Sequence, residues 1–368
     1  MNKPHLDNNT PLLGEIKRRI QTDGMITVAE YMRLCLQHPT HGYYTAHDEV
    51  IGGQGDFITA PEISQLFGEM IGVWLFVQWQ NFGRPKHFQL LEAGPGRATL
   101  MSDALRALKK EREFIEAIEL FFLESSQPLQ KKQATAIKNL KENIKPQWIK
   151  QLEDLPTAEI PLFFVANEFY DALPVHQFER SGDQWLERLI AVDQEGELRF
   201  ALSPTKLSAV LPLQHPAQAT RKQLEISPAV MTVHQTLINR FKTTGGSGLV
   251  IDYGYGPDDD HGNTLQAVRQ HKTVSPLSTP GECDLTTHVD FGQLEHINKR
   301  HNLPFSHFET QATFLKRYGI ESRLSRLLEI APPADQTVLS HGVERLIGAD
   351  KMGTLFKTLH FAAPIPGV

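Results

Sequence analysis

The sequence predicts an α/β fold: a parallel sheet with crossover helices, preceded by a helical N-terminal cap, interrupted by an antiparallel β meander and followed by C-terminal helices. Three observations predict it. From His87 onward, short apolar runs ("FQLLEAG", "IELFFLESS", "PLFFVANEF", "GSGLVIDYGYG") alternate with helical stretches, the pattern of βαβ units. "VHQFERSGDQWLERLIAVDQEGELRFAL", Val175 to Leu202, alternates polar and apolar residues around "SGD" and "QEGE", as antiparallel hairpins do. The ends of the chain carry helical spacing instead.

In chain order, "LLGEIKRRI" and "TVAEYMRLCLQ" predict two packing helices, the second with Thr27 and Glu30 in capping-box positions. A glycine-rich loop follows, and "TAPEISQLFGEMIGVWLFVQWQ" then predicts a long buried helix with Thr59 as N-cap, Pro61 in its first turn and Glu62 at N3. The core segment "MIGVWLFVQW" is about half of the ~20 residues a membrane span needs, so no span is expected. The expected division is a cap over 1–86 and a sheet domain over 87–368, with an insertion at about 175–225 and a helical segment at about 286–348. "LFKTLHFAA" predicts a last strand.

Of 368 residues, 37 are Lys or Arg and 43 Asp or Glu, a net charge of -6 that lacks the basic excess nucleic-acid binding needs. Two distant cysteines, Cys35 and Cys283, form no C-x-x-C pair and argue against a disulfide framework or a thiolate zinc site. His38 and His41 lie in a turn with no completing ligand set, so no metal is expected. The first twenty residues have neither an apolar signal core nor an Arg-rich, acid-poor presequence, from which a cytoplasmic location is expected.

The candidate site is the turn in "LLEAGPGRATL". Gly94 and Gly96 stand just past a predicted strand end, where α/β sheets bind ligands. Neither G-x-G-x-x-G nor G-x-x-x-x-G-K-[ST] is present, since Thr99 occupies the third glycine's place. Two readings remain open there: a cofactor cradle, or a tight strand-to-helix turn. Glu124, at the next strand end, suits the two hydroxyls of a ribose, and Glu92 adds a second acid. Such acids suit a cationic nucleoside better than a pyrophosphate, which points to S-adenosylmethionine.

The blocks "GGQGDFITAPEISQLFGEMIG", "EAGPGRATL", "NEFYDALPVHQF", "VIDYG" and "CDLTTHVDF", in this order from about Thr27 to the C-terminus, resemble the MidA family of S-adenosylmethionine-dependent methyltransferases. The resemblance implies a Rossmann-like class I methyltransferase sheet, with Glu92, Gly94 and Gly96 beside the cofactor's methionine and ribose and Glu124 on the ribose hydroxyls. The family includes a mitochondrial protein arginine methyltransferase that acts in respiratory complex I assembly. Methyl transfer to a protein arginine is therefore implied, with a respiratory NADH dehydrogenase subunit as a possible target. The family commonly reads G-P-G-R-G-T-L; Ala98 replaces its last glycine here, which is harmless in a helical conformation and costly at positive φ.

Methylating a guanidinium calls for carboxylates that orient its fork and localise its charge. Glu168 in "NEFYDALPV" is the first choice, supported by Asp171 and Asp56, with Asn167 as a hydrogen-bonding partner of substrate or cofactor. The alternatives are acids stabilising a helix start for Glu168 and Asp171, and a solvated loop acid for Asp56. Two other functions stay open: an assembly factor that keeps the fold but does little chemistry, and a small-molecule methyltransferase.

Overall fold

Alternating apolar runs become the strands of one mostly parallel sheet in the computed structural model, which describes residues 10–46, 59–204, 220–257, 259, 262–269 and 271–367. Its seven main strands are β1 (Phe88–Ala93), β2 (Ile118–Leu123), β3 (Gln147–Ile149), β4 (Leu162–Asn167), β5 (Gly246–Tyr255), β6 (Phe305–Thr310) and β7 (Phe356–Ala363). They lie in the order β3-β2-β1-β4-β5-β7-β6. Strands β1 to β5 pair in parallel, and β7 runs antiparallel to both β5 and β6. The strand order reverses between β1 and β4, the switch point at which doubly wound sheets take their ligands.

Four helical segments frame that edge: α1 (Ala60–Ile63), α2 (Gln65–Asn81), α3 (Thr99–Ala107) and α4 (Gln127–Lys138). One face of β1 and β4 packs Phe88, Leu90, Phe163 and Val165 into a core shared with Phe67, Ile71 and Trp74 of α2 and Leu100 and Met101 of α3. Close approach of α2 to α3 requires Gly72, where a Cβ would fall 2.8 Å from the Ala104 carbonyl oxygen.

The described residues form two compact units. One gathers those within Ile58–Tyr170, Thr232–Gly254 and Leu294–Val368; the other gathers those within Met1–Phe57, Asp171–Met231 and Tyr255–Gln293. The sequence places a boundary at residue 86, whereas α2 packs with the parallel sheet. In the second unit the meander forms as expected: His176–Ser181, Gln184–Val192 and Leu198–Leu202 pair antiparallel in sequence. Thr27 caps its helix as expected, its hydroxyl accepting the Glu30 N–H at 3.0 Å.

Two expectations need correction. Thr59 heads only the single turn α1 and makes no side-chain cap bond; the long helix starts afresh at Ser64, whose hydroxyl accepts the Leu66 N–H at 3.3 Å. Within the helical segment expected from 286 to 348, Phe305–Thr310 is an edge strand, half-exposed along its length and therefore without a clean apolar alternation. No helix among the described residues is long and apolar enough to cross a membrane.

Candidate functional site

The turns after β1, β2 and β4 bring together five of the expected residues at the ligand edge of one unit: Glu92, Gly94, Gly96, Glu124 and Asn167. After β1 the chain turns through left-handed conformations at Gly94 (φ 63) and Gly96 (φ 53). Gly94 has a packing reason as well, because a Cβ there would sit 2.9 Å from Cδ2 of Phe169. The tight-turn reading of the glycines is thus correct as far as it goes, and they alone do not argue for a ligand.

Two buried acceptors make the case for one. Glu92 is 3% exposed, and its Oε2 has no hydrogen-bond partner among the described residues. Asn167 is 8% exposed, and its Oδ1 is equally bare. Glu92 is in register with Val165, and Asn167 lies two residues further along β4, so alternation puts both side chains on one face. Leaving such an acceptor buried without a donor costs about 1–3 kcal/mol each. A ligand carrying N–H donors and positive charge satisfies both and favours the ionised form of Glu92, whereas a pyrophosphate brings no donor for Asn167 Oδ1. S-Adenosylmethionine fits this demand, its ammonium supplying N–H donors and its sulfonium a further positive charge.

Burial raises the Glu92 carboxyl well above the usual glutamate range. The folded state therefore holds a proton that the unfolded chain has already released, and stability falls as pH rises from the ordinary glutamate range upward. Glu92→Gln should remove that slope. Urea-unfolding midpoints of the ligand-free variant are expected to exceed wild type at alkaline pH, the gap closing toward about pH 4. Parallel curves at every pH would contradict a buried, protonated Glu92.

Glu124 follows β2. Burial raises its carboxyl above the ordinary glutamate range too, an effect that hydrogen bonds to its oxygens reduce only in part. Oε1 accepts the Ser126 N–H at 2.7 Å, and Oε2 accepts Nε2 of Gln133 at 3.2 Å. Each carboxylate oxygen keeps further lone-pair capacity for a ribose hydroxyl.

Glu168 follows β4 with φ 50, a left-handed conformation that costs a non-glycine residue about 1–2 kcal/mol. Its N–H donates to the Ile251 carbonyl at 2.9 Å, and its Oε1 accepts the Ala60 N–H and the Asn167 amide, each at 3.1 Å. The following turn is pinned by Asp252 on β5, fully buried, whose Oδ2 accepts the Tyr170 N–H at 3.1 Å. Asp252 is absent from the residues expected from sequence, where it is visible only as an acid inside the apolar run "VIDYG". On the other side α1 holds the glycine turn: Oε1 of Glu62 accepts the Thr99 hydroxyl at 2.6 Å, and Oε2 lies 3.6 Å from Arg97.

Asp171 belongs to the other unit. It is 4% exposed, its carbonyl accepts the Thr287 N–H at 3.0 Å, and its charge acts on the buried Tyr44 hydroxyl. Asp56, with Gly53 and Gly55, lies outside the described residues.

Ala98 adopts φ 61 and ψ 28, so the costly alternative for the family's missing glycine is the one realised. Its methyl is fully buried in the core shared with α2 and α3. The left-handed penalty of about 1–2 kcal/mol is partly offset by burial of that methyl, worth about 0.8 kcal/mol. Ala98→Gly is expected to change stability by less than about 1 kcal/mol and to leave cofactor affinity unchanged, because the methyl points into the core. A large affinity gain in calorimetry would show that the methyl reaches the site.

Strand order and switch-point placement are those of a class I S-adenosylmethionine-dependent methyltransferase, and the two buried acceptors without partners among the described residues lie at that edge. The chain belongs to the family of S-adenosyl-L-methionine-dependent methyltransferases whose model matches residues 70–308. It is 36% identical over 389 residues to the protein arginine methyltransferase NDUFAF7, mitochondrial, of Rattus norvegicus, covering 99% of this chain and 87% of that protein. It is 38% identical to the NDUFAF7 homolog of Drosophila melanogaster, covering 97% and 85%. The fold also matches the crystal structure of a protein from Burkholderia thailandensis bound to S-adenosyl-homocysteine, with a TM-score of 0.83 at 23% identity over 100% of this chain and 96% of that one. These relatives correct the expected cytoplasmic location, since they are named mitochondrial.

Proposed function

We propose that this methyltransferase acts on an arginine side chain of a protein. The observation that carries the site assignment is the pair of bare, buried acceptors, Glu92 Oε2 and Asn167 Oδ1, on one face at the switch point. In this reading Glu92, Asn167 and the Gly94–Gly96 turn hold S-adenosylmethionine, and Glu124 takes its ribose. The bound cofactor supplies an electrophilic methyl group. Glu168 orients the guanidinium: its carboxylate is set by the Ala60 N–H and the Asn167 amide, so its direction is fixed before substrate arrives. A guanidinium stays protonated in solution, and a fixed carboxylate draws the charge toward the nitrogens it faces and away from the attacking one. The remaining contribution is alignment and exclusion of water.

The arginine target is supported by the names of the relatives, which are protein arginine methyltransferases. From the family resemblance we take the protein substrate to be a subunit of a respiratory NADH dehydrogenase, which would place the enzyme in complex I assembly.

The test is methyl transfer from tritiated S-adenosylmethionine into a protein extract, with methylarginine identified by mass spectrometry. Label on arginine of a protein supports the reading. Label only in metabolites would favour the small-molecule alternative, and tight cofactor binding without transfer would favour the assembly-factor alternative.

A further inference from the structure

Helix α4 carries a fully buried glutamine. Gln133 is 0% exposed, although the helix otherwise buries little more than Ile137. All of its polar atoms are engaged. Oε1 accepts the indole N–H of Trp148 on β3 at 2.7 Å. Nε2 donates to the Gly96 carbonyl at 2.8 Å and to Oε2 of Glu124 at 3.2 Å. Indole nitrogen is a donor only, so it fixes which end of the amide is which: Nε2 has to face the glycine turn and the acid. One side chain thereby ties together the two elements that the proposed function assigns to the cofactor.

Two consequences follow from this arrangement. The Gly96 carbonyl is held by an internal donor, which sets the orientation of the peptide plane that closes the turn. Glu124 is held at both oxygens, by the Ser126 N–H on one and Gln133 on the other, so neither can rotate without breaking a bond. An acid that must accept two neighbouring hydroxyls gains most from being fixed in advance, because no ordering cost remains at binding.

We infer that Gln133 is a positioning residue for nucleoside recognition, acting through Glu124 and the Gly96 carbonyl, and that Trp148 sets its orientation. This rests on the cofactor assignment above. The helix pattern offered a signal: Gln133 occupies an inward position one turn before Ile137, where an apolar residue is the ordinary choice.

The experiment compares binding of S-adenosylhomocysteine and its 2′,3′-dideoxy analogue by calorimetry, in wild type, Gln133→Met, Trp148→Phe and Glu124→Ala, with thermal melting as the fold control. Wild type should favour the hydroxylated compound. Gln133→Met should weaken that compound by ~10- to 100-fold and the analogue much less, compressing the ratio toward that of Glu124→Ala. In the double variant Gln133→Met with Glu124→Ala the ratio should fall no further.

If Gln133→Met does not fold, Trp148→Phe carries the test, since it removes the indole N–H that orients the Gln133 amide while keeping an aromatic ring against Phe122, and it should compress the ratio in the same direction. A lowered melting temperature with an unchanged ratio would reduce Gln133 to a packing residue and overturn the inference. Equal weakening of both compounds would overturn it too. Wild type that binds neither compound, or both equally, would remove the ribose assignment itself and this inference with it.

Discussion

Glu168→Gln is expected to lower methyl-transfer turnover by ~10²- to 10³-fold while cofactor affinity stays nearly intact. The substitution keeps shape and removes charge. A glutamine carbonyl can still accept the Ala60 N–H and the Asn167 amide, so the turn after β4 retains the bonds that shape it. Its backbone remains in the left-handed region, held by the bond to Ile251 and, one turn on, by Asp252 under Tyr170. What disappears is the negative charge that orients a guanidinium. The effect should therefore appear in single-turnover rates at saturating cofactor and leave calorimetric binding of S-adenosylhomocysteine unchanged. Wild-type turnover in the variant would take Glu168 out of the mechanism. Strain at this position supports a functional reading, because about 1–2 kcal/mol is being spent on one conformation at the ligand edge.

Much of the fold was legible because β1, β2, β4 and β5 are rich in apolar residues on both faces, and such a run between helical patterns is the mark of a parallel strand covered by helices on either side. The edge strand β6 was not, since a half-exposed strand lacks that contrast. Thr59 misled for a related reason: "TAPEIS" offers two capping residues five positions apart, and spacing does not say that the chain makes one turn and starts again at Ser64. In the site, Glu92 and Glu124 were legible as acids at predicted strand ends. The side chains that brace the turns around them were not. Gln133 comes from a helix whose exposed face is rich in Lys, and Asp252 from the next strand of the sheet, across the inserted meander, so only the folded register brings them to the turns they hold. The glycines fit either a cradle or a tight turn when spacing alone is considered. In the fold, Gly94 already needs to be glycine for the sake of Phe169, and the case for a ligand rests on the bare acceptors instead.

Glu124→Ala should have the opposite signature to Glu168→Gln. A charged acceptor serving two hydroxyls contributes about 1.5–3 kcal/mol for each bond, so S-adenosylhomocysteine affinity should fall by at least ~10²-fold. Turnover at saturating cofactor should change little, because the ribose lies away from the reacting atoms. Part of the loss has a structural origin: removing the carboxylate also strips the acceptor from the Ser126 N–H and from one donor bond of Gln133. Glu124→Gln separates the two contributions. Its amide carbonyl can still accept one of those donors, so the fold is better served than by alanine while the charge is gone. If charge-assisted bonding to the ribose dominates, Gln and Ala should weaken the cofactor to similar extents while differing in melting temperature. If the carboxylate serves mainly to hold the turn, affinity should follow stability across both variants. Wild-type affinity in Glu124→Ala would show that the ribose is bound elsewhere.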